Sequence, residues 1–224
     1  MNLKNNNDYR NTDSCPILEN IDIKKSDLER LVKREHPRVR IMYNEIKKKN
    51  GKYFKKLETL YNHKCAYCGI ITILNDIRLF EVDHFICEAS YEDSTSGRAE
   101  AGKVSNLIFS CYSCNRGKKG MILSGKYRNL LNPDDNSIAQ VFFRDENYYI
   151  KIRDEFQDDS FIQKFYDDLS LGNEFRRLDY LLLEINSLSE KFKDDIDIYS
   201  KLNCIVHKLT GSRNNLFLND RSRS

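Results

Sequence analysis

The sequence predicts an α+β fold in which helical regions at both ends enclose a short segment of strands. Three observations carry that prediction. Apolar residues recur three and four positions apart in the N-terminal third and again beyond Ser160, the spacing of a helix face. Between Cys65 and Gly120 this rhythm gives way to short apolar runs flanked by turn residues, the pattern of strands. Two Cys-x-x-Cys pairs, Cys65/Cys68 and Cys111/Cys114, bracket the same segment, so a shared metal ion is expected to tie its ends together.

In chain order, residues 1–20, rich in Asn and Asp, read as a flexible lead-in. Ser26-Asp27-Leu28-Glu29 reads as a capping box that starts a helix. Pro37 breaks it, Ile41, Met42, Glu45 and Ile46 resume, and Asn50-Gly51 supplies a left-handed stop. Tyr53, Leu57, Leu60 and Tyr61 then predict a further helix that completes a helical region over 21–64. In the central region, 65–120, residues 78–84 read as one strand and Leu107, Ile108 and Phe109 as its partner, with a polar loop over 88–103 between them. Region 121–210 opens with a turn at Leu130-Leu131-Asn132-Pro133-Asp134-Asp135 and continues with a β-hairpin over 141–152 around Asp145-Glu146-Asn147. Helices follow, marked by Phe161, Phe165 and Leu169, by Leu178, Leu181, Leu182 and Ile185, and by Ile198, Leu202, Ile205 and Leu209. Residues 211–224 read as a frayed tail.

Length and composition bound the function. The 224 residues, 40% hydrophobic and 32% charged, suit one folded domain, or a small catalytic module with helical additions, and argue against a disordered chain. No apolar run approaches the ~18 residues needed to span a bilayer, and the polar N-terminus lacks a signal-peptide core. No membrane association and a cytoplasmic location are expected. The seven cysteines, four of them in knuckle pairs, fit a metal site in a reducing compartment better than a disulfide framework. A net charge of +3 is too small to argue for a polyanion partner by itself. Its distribution is uneven, however: Arg116, Lys118, Lys119, Lys126 and Arg128 fall within 115–128 with no acid among them, and clustered positive charge supplies most sequence-independent nucleic-acid affinity. Residues 154–174 run the other way, with seven acids against Lys164. They are expected to face away from nucleic acid and towards a protein partner.

The two cysteine pairs have knuckle spacing, and four thiolates complete a tetrahedral shell with no open position for water. Such an ion is structural, a role in which zinc contributes on the order of 10–16 kcal/mol of apparent binding energy to small folds. Within the bracketed segment, Asp83-His84 ends the first predicted strand. Together they offer a hard oxygen ligand for Mg²⁺ and a base able to take a proton from water near neutral pH. Alone the dipeptide is a weak signal. Ser105-Asn106-Leu107 ahead of the second strand and Cys114-Asn115-Arg116-Gly117-Lys118 opening a basic helix strengthen it. One condition follows from strand geometry: neighbouring side chains point to opposite faces, so the strand has to end at Asp83-His84 for both to serve one site.

Cys65-x-x-Cys68, Val82-Asp83-His84, Asn106-Leu107 and Cys111-x-x-Cys114-Asn115-Arg116-Gly117-Lys118 together resemble the HNH (ββα-metal) endonucleases. The resemblance covers roughly residues 60–120. It implies a central ββα-metal module with four-cysteine zinc knuckles, built of two antiparallel strands and a helix. It implies hydrolysis of phosphodiester bonds in DNA, with RNA as an alternative substrate. His84 would be the general base and Asn106 would orient it by bonding near the His84 backbone. Asp83 and Asn115 would hold a catalytic Mg²⁺ or Mn²⁺, and Arg116, Lys118 and Lys119 would hold phosphate. The last family position is often histidine, whereas this chain has Asn115, whose amide oxygen favours a hard ion over zinc. More loosely, Leu130-Leu131-Asn132-Pro133, the hairpin and the helix around Leu171 to Leu182 look similar to accessory HNH nucleases of bacterial anti-phage systems, notably the Septu type. That likeness implies a role in defence beside a partner ATPase. The rival reading is a zinc-organised nucleic-acid-binding subunit without catalysis, in which Asp83-His84 is incidental.

Overall fold

Asn20, in the left-handed conformation, turns the chain into helix α1 (Ile21–Glu35), which begins ahead of the capping box expected at Ser26. Burial decides its start: Ile21, Lys25, Leu28 and Val32 form one buried face, so the first turn has an apolar contact that Ser26 as cap would forfeit. The computed structural model describes residues 8–13, 15 and 18–221, with side chains through residue 216. Helix α1 stops before Pro37, at His36. Short α2 (Tyr43–Ile46) and α3 (Lys52–Leu60) follow, separated by the expected left-handed Asn50. Tyr53, Leu57 and Tyr61 are buried on the inner face of α3.

The centre of the molecule is an antiparallel pair, β1 (Phe80–His84) and β2 (Leu107–Cys111), in the register Phe80↔Cys111, Val82↔Phe109 and His84↔Leu107. All five residues of β2 are buried, which accounts for its unbroken apolar opening. Phe80 stacks on Phe109 with ring centroids 5.0 Å apart, and Phe54 of α3 meets Phe109 edge-on. Between the strands the expected polar loop contains a helix, α4 (Thr95–Ala101). Ser94 caps it by accepting from the Gly97 N–H at 2.9 Å, and Gly97 and Ala101 face inward. The small residues that made this stretch look like a loop are the ones that let a helix lie close against its own lead-in. Helix α5 (Tyr112–Lys118) leaves β2 without a linker and packs back across both strands.

Helices α6 (Lys126–Leu130) and α7 (Ile138–Val141) lead into a second antiparallel pair, β3 (Phe142–Arg144) and β4 (Ile150–Ile152). This is the expected hairpin, and the Asp145 carboxylate closes its turn by accepting from Asn147 N and Tyr149 N, both at 2.9 Å. Helix α8 (Ser160–Asp168) is capped by Asp159, and α9 (Glu174–Lys191) by Asn173. Helix α10 (Ile196–Arg221) packs along α9, so the segment expected to fray from Gly211 is helical through 221. One apolar core joins α1, α3, both strand pairs and α8. Among the described residues no helix is long and apolar enough to cross a membrane.

The expected lead-in is also structured where it is described; residues 1–7 lie outside the described residues. Arg10 is 1% exposed. Its guanidinium pairs with Asp8 at 2.6 Å and donates to Ala66 O at 2.6 Å, Pro133 O at 2.9 Å and Asn136 Oδ1 at 3.1 Å. A buried arginine bonded in this way is a tie between segments, not a solvated charge.

Candidate metal centre and active site

Cys65 and Cys68 sit on the turn that follows α3, while Cys111 and Cys114 span the joint between β2 and α5. The four buried sulfurs all lie within 4.8 Å of one another. Cys68 Sγ and Cys111 Sγ are 3.8 Å apart, far beyond the ~2.05 Å of a disulfide. That separation matches the ~3.8 Å edge of a tetrahedron whose centre is ~2.3 Å from each sulfur. The knuckle backbone is held in place by Cys65 N donating to Ile70 O and Ala66 N donating to Phe109 O, each at 2.8 Å. Gly69 completes the turn at φ +76°, where a Cβ would stand 2.7 Å from the Arg10 Cα and carbonyl oxygen. Four soft, dry sulfur donors in this arrangement can hold a metal ion such as zinc.

A fifth residue belongs to this centre and was not foreseen. Arg176, near the start of α9 and 8% exposed, donates through Nη1 to Cys68 Sγ at 3.0 Å and through Nη2 to Cys114 Sγ at 3.2 Å and Ser113 Oγ at 2.9 Å. Burial opposes its charge, but the cluster of Cys114, Cys68, Cys111 and Cys65 outweighs burial and holds the guanidinium protonated. No local pattern around Arg176 signals this, because its partners lie far away in sequence.

The second group of residues gathers where β1 meets α5. Strand alternation puts Glu81 and Asp83 on the same side of β1, and α5 presents Asn115 and Lys118 to them. Asn115 Nδ2 donates to Glu81 Oε2 at 2.6 Å. Asp83 is buried and accepts from Tyr67 OH at 2.9 Å, and Lys118 Nζ stands 3.1 Å from its Oδ2. Burial raises the Asp83 carboxyl above the ordinary carboxylate value, while Lys118 and Tyr67 pull it back. Lys118 is thus turned inward, 2% exposed, and also donates to His84 O at 2.6 Å. It was expected to meet phosphate from the surface; instead it braces the strand end, where the buried Asp83 carboxylate is strongly unfavourable without a counter-charge. Arg116 and Lys119 remain accessible, Arg116 lying 3.7 Å from Glu81 and over the Tyr112 ring.

His84 is the last residue of β1. Its ring lies against Tyr43 of α2 with centroids 4.2 Å apart. Burial lowers its pKa to about 4, and the charges of Lys118 and Lys47 add to that shift, so the imidazole is neutral at physiological pH. Asn106 clamps the segment beyond it: Oδ1 accepts from Ile86 N at 2.8 Å, and Nδ2 donates to Ile86 O at 2.9 Å and Ala101 O at 2.8 Å. The clamp falls two residues beyond His84, and Phe85 N donates to Asn106 O at 2.8 Å between them. Three participants were missed: Glu81, Tyr43, and Tyr67, whose hydroxyl meets Asp83. Glu81 was legible as the i−2 strand neighbour of Asp83, whereas Tyr43 belongs to a separate helix and nothing local marks it.

Comparison of the chain with protein-family models, with curated proteins and with solved structures found no match to any of them.

Proposed function

We propose that this chain is a metal-dependent endonuclease of the HNH kind that hydrolyses phosphodiester bonds in DNA. The reading is supported by His84 at the end of β1, half-buried against Tyr43, on a strand whose Glu81 meets Asn115 of α5 and whose Asp83 meets Lys118 of α5. Oxygen donors of this kind suit a hard cation in preference to a soft one. Asp83 and Glu81 supply carboxylate oxygens, and the Asn115 amide, whose nitrogen is directed at Glu81, has its oxygen as the ligating atom. Asp83 and Asn115 would hold Mg²⁺ or Mn²⁺, which when bound stabilises charge on the scissile phosphate and the departing 3′ oxygen.

The chain's own residues account for the remainder. His84 takes a proton from an in-line water; being uncharged at neutral pH, it is ready to do so. Tyr43 limits how its ring can turn, and Asn106 fixes the backbone that follows. Lys118 holds the Asp83 carboxylate and the His84 carbonyl in one geometry. Arg116 and Lys119, accessible beside the site, offer charge to flanking phosphates. A zinc ion at the four cysteines would have a structural role, since sulfur fills its coordination shell. A place in anti-phage defence beside a partner ATPase rests on the looser resemblance of residues 130–133, the hairpin and the helix around Leu171 to Leu182.

The test is cleavage of plasmid, single-stranded DNA and RNA by the full chain and by His84→Ala, in Mg²⁺ or Mn²⁺. General-base catalysis supplies about 10²–10⁴-fold in rate, so the wild type should nick or cut and stop with EDTA, while His84→Ala should show no easily detected product. The rival, a zinc-organised binding subunit, retards DNA in Mg²⁺ and leaves it intact. Equal cutting by both proteins would remove His84 from the mechanism.

A further inference from the structure

The fork of Arg176 spans three of the four cysteine sulfurs. Nη1 lies 3.0 Å from Cys68 Sγ and 3.6 Å from Cys111 Sγ, and Nη2 lies 3.2 Å from Cys114 Sγ. Four thiolates around a divalent ion carry two net negative charges, and here they do so away from water, where uncompensated charge is strongly unfavourable. A buried guanidinium faces the same difficulty with opposite sign. Each group resolves the other's problem, and the planar fork does so at several sulfurs at once, which the point charge of a lysine does not reproduce.

The same contact is central to how the C-terminal helical pair is attached. Beside it, Leu183 of α9 meets Cys15, Ile71 and Leu74 in a cluster separate from the main core, and Tyr180 stacks on Tyr148 and lies against Arg144. Other contacts lie at the rim, such as Lys191 with Asp13 and Arg177 with Asn147 O. Three residues beyond Arg176 on α9, buried Asp179 pairs with Arg213 of α10, and Arg213 Nη2 reaches Asn75 Oδ1 at 3.2 Å. Contacts therefore run from the sulfurs through Arg176 into α9, and through Asp179 and Arg213 to α10 and the segment after the first knuckle.

We propose that Arg176 is an outer-sphere partner of the metal centre, and that its contact with the sulfurs both retains the ion and fastens the α9–α10 pair to the knuckles. This rests on the four-cysteine centre and is independent of the nuclease reading, since neither of its readouts involves cleavage. Outer-shell partners typically contribute 10–100-fold to metal affinity. With the association rate unchanged, purified full-length protein loaded with zinc should transfer it to a chromophoric chelator about 10–100-fold faster once Arg176→Met is introduced. While the ion is still bound, amide exchange across residues 174–216 should rise, and β1 and β2 should stay as protected as in the wild type. Arg176→Lys keeps the charge without the fork and should fall between the two. Should Arg176→Met fail to fold, Arg176→Lys carries the same two readouts, with several-fold faster transfer and raised exchange expected. Wild-type zinc transfer, or wild-type exchange over 174–216, in the folded variant would overturn the proposal.

Discussion

The imidazole of His84 is enclosed by Tyr43 and by the Lys118 and Lys47 charges, and this enclosure sets its titration. The ordinary value of 6.5 falls to about 4 in the fold, through burial first and the two lysines second. Between those values the unfolded chain binds a proton that the folded chain does not. His84 thus lowers stability progressively as pH falls from about 6.5 towards 4 and contributes no pH dependence above that window. For catalysis the base should remain available well into acid. The acid limb of kcat/KM is expected near pH 4, and a pH–rate profile that bends at 6.5 would contradict the assigned environment. Asn106 tests a different property, because its three hydrogen bonds all go to backbone. Asn106→Ala orphans Ile86 N, Ile86 O and Ala101 O, and a buried unsatisfied group costs about 1–3 kcal/mol. Urea denaturation should show a loss within or above that range, with cleavage reduced less than in His84→Ala. Both residues could be found from the sequence, since their types and spacing relative to the cysteines define a pattern. The inward turn of Lys118 could not: a lysine in a basic helix reads as solvated until the fold sets Asp83 and the His84 carbonyl opposite it.

Helix α5 positions half of the site, and α8 fixes where α5 can lie. A Cβ at Gly117 would sit 2.0 Å from Asp168 O and 3.2 Å from Leu169 Cα, so the C-terminal end of α8 meets the bare backbone of α5. Gly117→Ala has to push the two helices apart, and overpacking of this kind costs about 1–3 kcal/mol. A lower denaturation midpoint is expected, together with weaker cleavage as Asn115 and Lys118 shift with the helix. An unchanged midpoint would mean that the close approach is not rigid. Elements carried by strong local signals, such as β2, the Asp145 turn and the left-handed Asn50, agree with the sequence reading. The discrepancies arise where a distant surface outweighs a local signal. Burial of Ile21 and Lys25 moves the start of α1 ahead of Ser26, and close packing at Gly97 and Ala101 makes a helix of the Ser-Gly-rich stretch between the strands.

Across the molecule, the four cysteines tie together segments that the sequence presents as separate. Cys65 and Cys68 continue from α3, Cys111 and Cys114 join β2 to α5, Arg10 reaches the Ala66 carbonyl beside the first knuckle, and Arg176 brings in α9. The cysteine spacing made the centre itself legible, but not its reach, because Arg10 and Arg176 act through contacts with no counterpart in local pattern. This architecture allows the two proposed metals to be separated experimentally. Brief EDTA treatment should stop cleavage by removing an exchangeable hard ion and leave the thermal midpoint unchanged, with activity restored by Mg²⁺. Stripping the sulfur-held ion under reducing conditions should act on the fold. Structural zinc contributes on the order of 10 kcal/mol of apparent energy, comparable to the whole stability of a domain of ordinary size. Elemental analysis should find about one tightly held zinc per chain, four thiolates being the full shell of one ion. Its removal should collapse the cooperative melting transition and expose β1, β2 and α9 to amide exchange together, and re-addition should restore them together. Independent loss of protection in those three elements would show that the centre is a local clip and not the joint on which the strands and the C-terminal helices both depend.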